Sequence, residues 1–130
     1  INNYRYNIVS GGDTAQHAFW MAGTNKLSAG HNGAWYTVTS STALLLNTWY
    51  FGAVTFNTSS GWALYVNGNL ESTNSSTTQF SGNGSILVGA YNAAQNLWDG
   101  RIAIVNVYNR VLSPNEIKEN YNATKPRFNL

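Results

Sequence analysis

The chain has 130 residues, the size of a single domain with one buried core. Apolar residues make up 43% and aromatic residues 14%, against only 9% charged, which excludes a disordered chain; the net charge of +2 is scattered rather than gathered into a stripe, which excludes a nucleic-acid surface. With no Cys there is no disulfide framework, Cys-based zinc site or thiol nucleophile, and no run reaches the roughly 20 apolar residues of a membrane span. Polarity comes from 19 Asn, 12 Ser and 12 Thr, residues that favour turns and strand faces over helix interiors.

The pattern predicts strands from the start. Tyr4–Val9 is a short strand closed by the turn cluster Ser10-Gly11-Gly12-Asp13. Ala18–Ala22 and Lys26–His31 flank Gly23-Thr24-Asn25, a three-residue hairpin loop. Trp35–Ser40 follows, with Trp35, Thr37 and Thr39 on one face and Tyr36 and Val38 on the other. Trp49–Phe56 is the next strand. Trp62–Val66 and Asn69–Ser72 are joined by Asn67-Gly68, the dipeptide that tolerates both positive φ angles of a type I′ turn. Thr73–Gly84 reads as loop, and Ser85–Ala90 and Arg101–Tyr108 as strands, the last apolar on both faces like an interior strand. Ser113-Pro114-Asn115-Glu116 carries an N-cap, Pro at N1 and Glu at N3, so one short helix is expected over about 113–122, with 123–130 as a tail. Many short strands at 8–12-residue spacing and one C-terminal helix make an all-β sandwich or barrel.

Three segments also carry a resemblance. Asn47-Thr48-Trp49-Tyr50-Phe51-Gly52-Ala53-Val54-Thr55, then Leu64-Tyr65-Val66-Asn67-Gly68, then Asp99-Gly100-Arg101-Ile102 leading to Val107–Ile117, are similar in order and spacing to the concanavalin-A-like laminin-G (LamG) domains, over roughly residues 47–121. The resemblance implies a two-sheet antiparallel jelly-roll sandwich whose rim loops and concave face bind sugars, sometimes with calcium. The ending Asn120–Phe128 is similar to phage virion and tail versions of the domain, which implies an extracellular or virion-surface setting. Two departures stand out. Ala103 and Ile104 occupy positions where the family commonly carries an Asp-Glu pair, and nothing matches the opening Phe-x-x-x-x-Trp strand. Residues 1–130 are therefore expected to form one LamG-like domain lacking its first strand. The vacant place would be filled by another chain, another copy or an upstream segment, with Ile102 and Ile104 as the protein interface, or else by Tyr4–Val9 itself, leaving a closed monomer.

Catalysis has little to stand on. Glycosidases need two carboxylates converging on the scissile bond, and the five here (Asp13, Glu71, Asp99, Glu116, Glu119) include no i, i+2 pair; Glu116 and Glu119 belong to the helix. His17 and His31 lack zinc-ligand spacing, and there is no nucleophile elbow, P-loop or dinucleotide motif. Calcium would need several oxygen ligands where only Asp13 and Asp99 sit in turns, so no cofactor and no metal site is expected. Aromatic rings remain: sugars lay their C–H faces on rings while Asn and Asp fix hydroxyls. Alternation places Trp49 and Trp62 in the core, whereas Trp98 lies with Tyr91, Asn92, Asn96 and Asp99 in an interstrand loop. That loop and Trp35 are the candidate glycan contacts. The expectation is a non-catalytic carbohydrate-binding or adhesion domain of a larger protein, with no nucleic-acid or membrane partner. A virion decoration module that binds protein chains, and a degenerate glycosidase, stay open as alternatives.

Overall fold

The computed structural model describes residues 6–11, 17–31, 33–79, 86–91 and 96–130. Among these, the elements in chain order are β1 (Tyr6–Gly11), β2 (His17–Met21), β3 (Lys26–His31), β4 (Ala34–Ala43), β5 (Gly52–Asn57), β6 (Gly61–Val66), β7 (Asn69–Asn74), β8 (Ile86–Val88) and α1 (Pro114–Phe128). Strands in the order β4-β3-β2-β1-β8 form one antiparallel sheet, and β5-β6-β7 form a second.

Local chemistry builds the hairpins where the sequence placed them. Asn67 (φ 49°) and Gly68 (φ 72°) take the paired left-handed conformations that connect β6 to β7. Between β2 and β3, Asn25 (φ 58°) turns the chain and its N–H donates to the Ala22 carbonyl at 2.9 Å. Strand β4 carries irregular register against β3 at both ends. At one of them the Ser40 hydroxyl accepts the Leu27 N–H at 3.0 Å, so the interruption leaves no orphaned donor there.

Register brings Val88, Val9, Phe19, Ala29 and Val38 into one row across the five-stranded sheet. The row faces Trp62, Leu64 and Val66 of β6 and Val54 and Phe56 of β5, and this inter-sheet layer is the main core. The two sheets meet chiefly where β4 lies on β6 and β7. Val88, at the far end of the row, stands half exposed. Strand β6 is buried on both faces, because Ala63 and Tyr65 point the other way, against Leu112 and Ile117. That explains its unbroken apolar run. Each large side chain so buried contributes about 1.5–3 kcal/mol relative to exposure.

Helix α1 starts as its capping box predicts, with Ser113 and Glu116 each bonding the other's backbone N–H. It does not stop near Asn122. The helix continues through Pro126 to Phe128, taking up the residues expected as a tail, and closes on a left-handed Asn129 whose N–H bonds the Lys125 carbonyl. Phe128 packs on Trp49 at 5.2 Å, a tertiary contact that holds the final turn despite the proline.

A second expectation fails. Arg101–Tyr108 joins neither sheet among the described residues, and part of its apolar surface faces outward, with Ile104 44% and Val107 65% exposed while Ile102 and Val105 are half-buried. A strand exists through its ladder partners, and two-sided apolarity supplies a wish for burial without supplying a partner. Likewise Trp49–Phe51 precede β5 rather than extend it; the Phe51 N–H is held by the Asn67 side chain at 3.0 Å instead.

Candidate functional site

The predicted contact loop leaves the five-stranded sheet at the end of β8. The Gly89 N–H donates to Ile8 at 3.0 Å and the Gly89 carbonyl accepts the Trp98 N–H at 2.8 Å, which closes the loop at its base. The Ser10 hydroxyl, itself buried, donates to the Ala90 carbonyl at 2.7 Å and fastens the loop to β1. The Trp98 indole lies over Gly100, where a Cβ would come within 2.9 Å of Nε1, and beside Gly89. Its Nε1 is buried and finds no hydrogen-bond partner among the described residues. Tyr91 and Asn96 are half-buried, Asn96 in a left-handed conformation, and Asp99 is exposed; Asn92 lies outside the described residues.

Trp35 does not join them. It sits half-buried on β4, the edge opposite β8, on the order of 19 Å away at four strand spacings of about 4.8 Å. Ile102 packs half-buried near Gly89, and Ile104 is exposed. On the face of the five-stranded sheet away from the core, Trp20, Ser28 and Thr39 share a row. Trp20 is fully buried, edge-on to the half-exposed Tyr36 ring at 5.5 Å, and the Ser28 and Thr39 hydroxyls bond each other at 3.1 Å. Alternation put Tyr36 on the same face as Val38, which the structure buries in the core; the irregular register between Ala29 and His31 frees Tyr36 from that rule.

The carboxylates are dispersed. Glu71 accepts hydrogen bonds from Ser41 and Thr42. Glu116 forms a two-oxygen ion pair with Arg110 and also accepts the Ser113 N–H; the Arg110 pairing first, and that N–H second, hold its pKa down at about 2. Asp99 and Glu119 are exposed, and Asp13 lies outside the described residues. Among the described residues no three His, Cys, Asp or Glu side chains gather as a metal site would require. His31 is a buried strand-face residue whose ring lies 6.2 Å from Trp62; the His17 side chain is outside the described part.

A groove of about 420 Å³ opens on the outer face of the three-stranded sheet. Its floor is Thr55, Asn57, Ala63, Tyr65 and Thr73, and its wall is the turn Val111–Pro114 that leads into α1. Tyr65 is only 5% exposed, and burial pushes its phenol pKa up. Sequence reading passed over this place because Tyr65 looks like any residue of a buried strand, and the wall arrives from about fifty residues later in the chain.

A family model described as the concanavalin A-like lectin/glucanases superfamily matches residues 2–118. No curated protein and no solved structure matches the chain.

Proposed function

The chain belongs to the concanavalin A-like lectin/glucanase superfamily, and from that membership we propose that it works as a non-catalytic carbohydrate-binding or adhesion module at an extracellular or virion surface. The superfamily's name covers both sugar binding and sugar cleavage, so the state of the carboxylates carries the choice. Cleavage needs an acid and a second carboxylate about 5–9.5 Å apart across the scissile bond. Glu71 and Glu116 are instead committed to structural hydrogen bonds, one between strands and one at a helix cap. The loop closed by Gly89 and Trp98 supplies the contact, with Trp98 as the ring and Tyr91, Asn96 and Asp99 as polar neighbours; Trp35, on the opposite edge, would serve a separate contact. A glycan array run beside a reducing-sugar assay on β-glucans tests the reading. Binding without turnover is expected, and turnover abolished by changing a single carboxylate would overturn it.

A second reading draws on one specific observation. Ile104, Val107, Tyr108 and Val111 are exposed along a segment that enters no sheet, and Ile86 and Val88 are exposed on the edge strand β8. So much apolar surface beside an edge that carries no further strand among the described residues favours association with further copies of the same chain, as in a virion decoration module.

A further inference from the structure

The groove over the three-stranded sheet has the chemistry of a built site. Tyr65 is more than nine-tenths buried, and its hydroxyl, which makes no hydrogen bond among the described residues, stays accessible in the groove it lines. Water reaches that oxygen now, and a ligand hydroxyl of matching geometry would take the water's place. The Thr55 and Thr73 hydroxyls on the same floor are also without partners among the described residues. Asn57 spends its Oδ1 on the N–H groups of Ser59 at 2.7 Å and Ser60 at 3.3 Å, which leaves its amide donors unused. Hydroxyls that both give and accept, beside free amide donors, match the hydroxyls of a sugar. Across from them Val111, Leu112 and Pro114 offer an apolar wall to a ring's C–H face.

Charge narrows the class. Among the described residues Glu116 is the groove's sole charged lining residue, and Arg110 neutralises it through both oxygens, at 2.7 and 3.1 Å. A sulfated or uronic sugar would meet no free cation there, and a cationic ligand no free carboxylate. We propose that this groove is a second binding site, distinct from the Trp98 loop, for a short neutral oligosaccharide, with Tyr65, its ring held by the sheet and its hydroxyl open to the groove, as the hydrogen-bonding anchor. The inference rests on the carbohydrate-binding reading and adds to it a place and a charge class.

The test is a titration of the isotope-labelled chain with maltotriose, cellotriose, mannotriose and chitotriose, and with a sulfated and a uronate trisaccharide, followed by amide chemical shifts. At least one neutral probe should shift the amides of Thr55, Asn57, Tyr65 and Thr73, and the charged probes should not. Tyr65→Phe should keep the melting temperature and weaken that binding about tenfold. Thr73→Val, at an exposed position, should weaken it too and serves if the Tyr65 variant fails to fold. Shifts confined to residues 89–91 and 96–100 would overturn the groove while leaving carbohydrate binding in place. Groove amides that stay still, charged probes that bind as well as neutral ones, or an unchanged affinity in both variants would also overturn it. Silence from every probe, joined to a blank glycan array, would take down both readings.

Discussion

The carboxylate of Glu71 on β7 accepts the backbone N–H of Thr42 on β4 at 2.9 Å and the Thr42 hydroxyl at 2.5 Å, joining the two sheets edge to edge. Ser41 adds a third bond at 3.1 Å. Burial alone would raise the pKa of this carboxyl, but the Thr42 and Ser41 hydrogen bonds outweigh it, and the net shift is below the ordinary 4.5.

A lowered folded-state pKa means that the unfolded chain binds the proton more readily, so the stabilisation is complete above the unfolded value and is lost as pH falls through the folded one. Glu116 behaves in the same direction, down to about 2. Glu71→Gln should cost about 1 kcal/mol at neutral pH, discounted for its solvent exposure, and should flatten the acid limb of stability. Urea melts at neutral pH and at about pH 3 read both effects. An acid limb identical to that of the parent chain would show that the clasp is idle.

Gly30 lies where β4 departs from regular register, and a Cβ there would sit 2.2 Å from the Ala34 carbonyl oxygen and 2.6 Å from that of Trp35. Both obstacles are backbone, so no side chain can swing away. Gly30→Ala should therefore cost about 3 kcal/mol, the upper range for overpacking, read as a lower urea midpoint. An unchanged midpoint would mean that the β4 irregularity relaxes freely.

Trp98→Ala should weaken glycan binding by about 1–3 kcal/mol, the scale of one lost stacking ring, with a small change in melting temperature because the loop base is held by the Gly89 backbone bonds and the Ser10 hydroxyl. Calorimetry with an array hit, paired with a thermal melt, separates the roles. Intact binding with a collapsed melting temperature would make Trp98 a plug over Gly89 and Gly100 rather than a contact.

Ile104 is exposed on an apolar segment that pairs with no strand among the described residues, so the purified chain should self-associate, and Ile104→Glu should shift it toward monomer while leaving its melt nearly unchanged. Light scattering across a wide concentration range decides it; a clean monomer throughout would refute association.

What was legible in the sequence is what short-range chemistry controls. Asn67-Gly68 demands positive φ whatever surrounds it, Gly23-Thr24-Asn25 turns β2 into β3, and Ser113 and Glu116 cap a helix from three residues apart. Alternation likewise put Trp62 on one face with Leu64 and Val66, and that face meets the other sheet in the core, because successive strand residues point to opposite sides. Other features depend on which distant segments arrive as partners, and periodicity carries no such information. Arg101–Tyr108 has strand composition but no ladder, while Pro126 stays helical because Phe128 reaches Trp49. Trp35 and the Trp98 loop, joined in the sequence reading by residue type alone, end at opposite edges of one sheet because β4 and β8 are its two outer strands. Tyr65 shows the division within a single residue: its strand position was readable from alternation, and its unpaired hydroxyl in a groove was decided only when residues 111–114 folded back across β6.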